Sequence, residues 1–183
     1  MTEGFSPSGN LAEPVATFHY LAIRAFAHET EDPAKVKAAL ANVAHGAEIS
    51  LEETVVDGSH KNQIRIFEGE LKNANAAKSL FAQLSKDDPR GYAQLRAESD
   101  KRLDEHLNYY LRLDKQDAFL GRMRIAQDED AITIRGKIRS FEAKRSGSPL
   151  VAAREELDRF FASVDATAAR ETQREALDRN VTP

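Results

Sequence analysis

No cysteine occurs among the 183 residues, which excludes disulfides, thiolate metal sites and cysteine nucleophiles and is compatible with a reducing compartment. No apolar run approaches the roughly 18 residues needed to cross a bilayer. The opening stretch, MTEGFSPSGNLAEP, has neither the basic nor the apolar region of a secretory signal. A cytoplasmic protein with no membrane partner is therefore expected. No nucleophile elbow, Ser-His-Asp signature, dinucleotide glycine fingerprint or phosphate-binding P-loop is present. The aromatic-rich consensus of an RNA-recognition motif is missing, and so is a KH-type Gly-x-x-Gly loop with basic flanks. His19, His28, His45, His60 and His106 are scattered without ligand spacing. No cofactor, metal or catalytic activity is expected, although residues that converge only in space leave no such mark.

What is present fits one globular domain with tails. The chain is 41% hydrophobic and 31% charged, and long enough to bury a core. Residues 1–16, rich in Gly, Ser, Pro and Glu, read as a disordered extension. Phe18 to Phe26 has the aromatic and branched content of a strand. Asp32-Pro33 is an N-cap with proline in the first turn, and Val36, Ala39, Leu40 and Val43 predict a helix over 33–44. Strands near 48–56 and 62–72 follow, joined through Asp57-Gly58-Ser59-His60.

Asn73 or Asn75 caps the next helix, with Ala77, Leu80, Phe81 and Leu84 on one face. Asp88-Pro89 opens a polar helix to about Leu103. Its stripe of Tyr92, Leu95 and Leu103 is thin, so that helix is expected to be largely exposed. Leu107 to Leu113 reads as a strand with Tyr109, Leu111 and Leu113 inward and Tyr110 and Arg112 outward. Ser148-Pro149 begins the last folded helix, carrying Leu150, Ala153, Leu157, Phe160 and Phe161. From about Asp165 the chain is a helical extension or a tail. The expected organisation is a single α+β domain over 17–163 and a polar segment over 164–183. A mostly antiparallel sheet would carry helices on one face and leave the other solvated or bound. No internal repeat is evident.

Charge is unevenly spread. Residues 1–60 hold 3 Lys/Arg against 9 Asp/Glu, whereas 112–145 hold 9 against 6. The basic surplus coincides with two alternating segments. In Gly121-Arg122-Met123-Arg124-Ile125 and in Ala131 to Arg139, Met123, Ile125, Ile132, Ile134 and Ile138 fall on one side. Arg122, Arg124, Arg135, Lys137 and Arg139 fall on the other, with no acid among them. The whole chain has net charge -4, so a general basic character does not explain this face. It suggests a polyanion partner, most plausibly RNA. Tyr110 beside Arg112, and Tyr20 beside Arg24, would add stacking surfaces if their strands adjoin. A solvated sheet accounts for the same charges without a ligand, since edge lysines guard against aggregation.

Lys144-Arg145-Ser146-Gly147-Ser148-Pro149 runs into a helix start whose free N–H groups could hold a phosphate, though an ordinary flexible loop and N-cap is the default account. Asp114-Lys115-Gln116-Asp117 has too few ligands for a cation site. It reads as a strand-end turn with an Asp side chain bonded to local backbone.

The stretch from Asn108 to Gly121, NYYLRLDKQDAFLG, resembles the core of an archaeal family described as predicted exosome-associated RNA-binding proteins. Tyr20 to His28 with Glu31-Asp32, and Lys137 to Arg145, resemble its first strand and its closing segment. The resemblance covers about 17–163; the terminal segments depart from it. It implies a fold like that of ribosomal protein L5, RNA as partner, and no established catalytic residues. The candidate RNA-contacting set is Tyr110, Arg112, Lys115, Arg122, Arg124, Arg135, Lys137, Arg139, Lys144 and Arg145. The function expected is a non-catalytic RNA-binding accessory to RNA processing, the exosome or the ribosome, with protein partners in RNA processing and a dimer compatible with it. A protein-interaction subunit without RNA contact is the second reading, and an enzyme on phosphorylated substrates the third.

Overall fold

Alternation along the first strand decides which way the sheet faces. In β1, Phe18–Ala27, the side chains of Leu21, Ile23, Ala25 and Ala27 are buried, while Tyr20, Ala22, Arg24 and Phe26 fall on the opposite side. The computed structural model describes residues 17–58, 62–139 and 148–181. The expected N-terminal extension, part of the turn after Asp57, and Lys144 and Arg145 lie outside the described residues.

Capping residues set the helix starts. The Asp32 carboxylate accepts from Ala34 N–H at 2.9 Å to open α1, Pro33–Val43. The hairpin strands β2, Leu51–Asp57, and β3, Gln63–Leu71, follow. Asn73 caps α2, Ala74–Asp87, and Asp88 caps α3, Pro89–Ala97, by accepting from Gly91 N–H at 2.9 Å. After a 3-10 turn at Ser99–Arg102 come β4, Asn108–Asp114, the short α4, Lys115–Phe119, β5, Ala131–Ile138, and α5, Pro149–Val181. The five strands lie in the order β2-β3-β1-β5-β4, and every neighbouring pair is antiparallel. The α+β class expected from the sequence is the one observed.

The helices cover one face, where the core is dominated by rings. Phe81 of α2 meets Phe18, Tyr109, Phe160 and Phe161 at centroid separations of 5.1 to 6.4 Å. Gly136 of β5 lets Phe18 lie flat on the sheet, since a Cβ there would stand 2.6 Å from the ring. Among the described residues the opposite face carries no helix, and this open face is where the basic strands present their charges.

Two expectations change. Residues 121–125 do not form a strand within the sheet. Gly121, at φ +79°, closes α4, and the next amides are claimed by side chains: Met123 N–H donates to Asp87 at 2.8 Å and Ile125 N–H to Asp88 at 3.1 Å. Only an isolated bridge, Leu113 with Ile125, ties the segment to the outer edge of β4. The polar helix stops at Ala97 rather than Leu103, and its Tyr92 and Leu95 are buried against the core. α5 runs on through 163/164 to Val181, and Val164 is fully buried. The 33-residue helix is about 50 Å long.

Candidate nucleic-acid interface

Register arranges the open face as a grid. Ala22 of β1 stands opposite Arg135 of β5, which stands opposite Tyr110 of β4. One step along, Tyr20 faces Lys137, which faces Asn108; one step the other way, Arg24 faces Thr133, which faces Arg112. Arg139 continues past the end of β5, its guanidinium 3.1 Å from the His19 ring. Four cations and two tyrosines therefore share the β1-β5-β4 half of this face. Tyr110 and Arg112 point outward and Tyr109, Leu111 and Leu113 inward, as the alternation predicts.

The other half has the opposite sign. Glu52 of β2 faces Glu68 of β3, and Glu70 of β3 faces Ala22. Arg24 stands on the dividing line: its Nε lies 3.2 Å from Glu68, and its guanidinium lies 4.9 Å from the Phe26 ring centre. A hollow of about 1030 Å³ lies over the middle of the face, floored by Ala22 and bordered by Arg24, Glu68, Glu70, Tyr110 and Arg135. The acidic half was legible in the period-2 pattern of Glu68-Gly69-Glu70, which sequence reasoning did not exploit.

Several of the cationic and aromatic groups are held in place. Tyr110 donates its hydroxyl to Asp104 at 3.0 Å, and Arg112 donates to the Asp128 carbonyl at 2.7 Å. Lys137 donates to the His106 carbonyl. Asp104 also accepts the N–H groups of His106 and Asn108 and the side-chain amide of Asn108. Burial works against its ionised form, but these donors outweigh that cost and hold its carboxyl below the ordinary value. Burial and the Asp104 carboxylate push the Tyr110 phenol up, so it stays a neutral donor. Tyr110 is still 38% exposed, and its ring is fixed at the surface. Sequence reasoning missed Asp104; the short loop Asp104 to Asn108 was its only mark. Arg135 makes no ion pair or side-chain hydrogen bond among the described residues.

Three members of the expected set lie elsewhere. Lys115 is 4% exposed, and its ammonium bonds the Phe26 carbonyl at 3.0 Å, Glu31 at 2.7 Å and Asp130 at 2.5 Å. It is withdrawn from the surface because α4 turns it beneath the end of β1. His28, Glu31 and Asp130 bring potential ligand atoms within 4.8 Å of one another, but Lys115 already answers the two carboxylates. Arg122 and Arg124 sit on the segment past α4, and both reach Asp117, at 2.6 and 3.5 Å. One carboxylate thus answers two guanidinium groups on the segment beside the outer edge of β4. Asp114, as the turn reading required, accepts from Asp117 N–H at 2.7 Å and caps α4.

Known proteins resemble this chain over the same region. RNA-binding protein PAB1135 of Pyrococcus abyssi is 33% identical over 135 residues, 69% of this chain and 86% of that protein. The structure of Mth689, a DUF54 protein from Methanothermobacter thermautotrophicus, matches with a TM-score of 0.62 at 28% identity, covering 79% of this chain and 98% of that one. Protein SSO0741 from Sulfolobus solfataricus shares the fold at 18% identity, with a TM-score of 0.62 and 81% and 98% coverage. A family model described as RNA binding matches residues 20–138, from the first strand through the last, and the chain belongs to that family.

Proposed function

We propose that this protein binds single-stranded RNA on the β1-β5-β4 half of its open face, without catalysis, as a cytoplasmic accessory to RNA processing by the exosome or to ribosome function. The observation that carries the reading is the placement of Arg24, Arg112, Arg135 and Lys137 on one helix-free surface with Tyr20 and Tyr110 among them. Cations there neutralise phosphates and release counterions, while exposed rings stack on splayed bases. Membership of an RNA-binding family supports the same partner. The family resemblance also favours an L5-like scaffold.

Changing Arg112, Arg135 and Lys137 together to Gln tests it. The triple variant is expected to bind a mixed RNA pool more weakly by at least about tenfold. Its plot of log affinity against log salt should flatten by about 0.7 for each phosphate that is no longer neutralised. Fluorescence anisotropy over a range of salt concentrations reads both. Unchanged affinity and slope would place RNA elsewhere.

A second reading attaches to the other edge. β2 is a terminal strand with Val55 48% and Val56 39% exposed, which suits strand addition by a protein of the processing machinery. Partners that still copurify after RNase treatment would identify such direct contacts.

A further inference from the structure

Beside the Arg24–Glu68 pair, Glu70 and Arg135 face each other across a gap on the open face without meeting. Glu70, Ala22, Arg135 and Tyr110 stand side by side on four adjacent strands. Glu70 and Arg135 are thus two strand spacings apart, roughly 9–10 Å between backbones, with only a methyl group between them. Among the described residues Arg135 has no partner, and the Glu70 carboxylate has only a loose contact with Lys72 at 3.6 Å. The resulting hollow has the Ala22 methyl on its floor, an aromatic wall fixed through Asp104, Arg135 on one side and Glu70 with Lys72 on the other.

We infer that this hollow is a nucleobase pocket selective for guanine, with the base edge turned to Glu70 and the adjoining phosphate on Arg135. The inference rests on the open face being the RNA surface. An ionised carboxylate is acceptor-only. Guanine presents two adjacent donors, N1–H and the N2 amino group, that match one carboxylate in a paired bond. Uracil places its single N3–H between two carbonyl oxygens, which the carboxylate repels. Cytosine and adenine each pair one amino donor with an adjacent ring acceptor. The same carboxylate repels phosphate, so the backbone must run over Arg112, Arg135 and Lys137 while the base points toward β3. Unstacked bases in single-stranded RNA are read in this way, on their Watson–Crick edges and against aromatic rings.

The test compares a short oligouridylate with the same strand carrying two central guanosines, by fluorescence anisotropy with the full chain. Wild type is expected to prefer the guanosine strand by about tenfold. Glu70→Ala, which removes an acceptor, should bring that ratio close to one while still binding oligouridylate, and Ala22→Leu, which fills the floor, should bring it close to one as well. Inosine in place of guanosine, lacking the N2 amino group, should fall between the two. Equal binding of both strands by wild type would overturn the pocket and leave the RNA surface standing. Binding of neither strand would overturn both. A preference that survives in both variants would put guanine somewhere other than this hollow.

Discussion

Phe81→Ala is expected to cost about 3–5 kcal/mol, a large share of the stability of a domain this size. Phe81 is fully buried, and its ring touches four other rings that come from β1, β4 and α5. Removing it opens a cavity at the point where the sheet and two helices meet. The surrounding rings cannot collapse into the space without leaving their own edge-to-face contacts. Chemical denaturation should show a lower midpoint with an unchanged slope. Phe81→Leu retains most of the volume and should cost less. A loss below about 1 kcal/mol for the alanine variant would mean that this cluster is not the centre of the core.

Lys115→Ala should be the most damaging change to a single charge, at about 2–3 kcal/mol. Removing one partner of a buried ion pair typically costs more, but Asp130 is half exposed and can rehydrate. Lys115 joins three parts of the chain: α4 on its own side, the end of β1 through the Phe26 carbonyl, and the loops holding Glu31 and Asp130. Its loss leaves the partly buried Glu31 facing a bare carbonyl. Lys115→Met keeps the apolar stem and should recover part of the loss. Because Lys115 lies beneath the surface, the alanine variant should bind RNA as wild type does at temperatures where it remains folded. Weakened RNA binding by folded protein would return Lys115 to the interface.

Lys115 also shows where the sequence stops being legible. The strand alternation of β4 and β5 sorted Tyr110, Arg112, Arg135 and Lys137 from Tyr109, Leu111, Ile132 and Ile134 correctly, because period 2 is a local property of an extended backbone. Asp32, Asn73 and Asp88 were equally readable, since a cap acts on the next two or three amides. Lys115 was misplaced because its partners, Glu31 and Phe26, lie more than eighty residues away. The 121–125 segment alternates like a strand, yet it meets β4 at a single bridge, because β4 gives way to α4 just after Asp114. The bipolar character of the open face depended on β3 and β5 both flanking β1, a matter of topology rather than local pattern.

The central claim is that RNA lies on the β1-β5-β4 half of the sheet, and a titration with oligouridylate followed by backbone amide resonances tests it most directly. Perturbed signals should trace Tyr20 to Arg24, Thr133 to Lys137 and Asn108 to Arg112, weaken as salt is added, and leave α2, α3 and β2 unchanged. Perturbations confined to the helical side or to the β2 edge would contradict it.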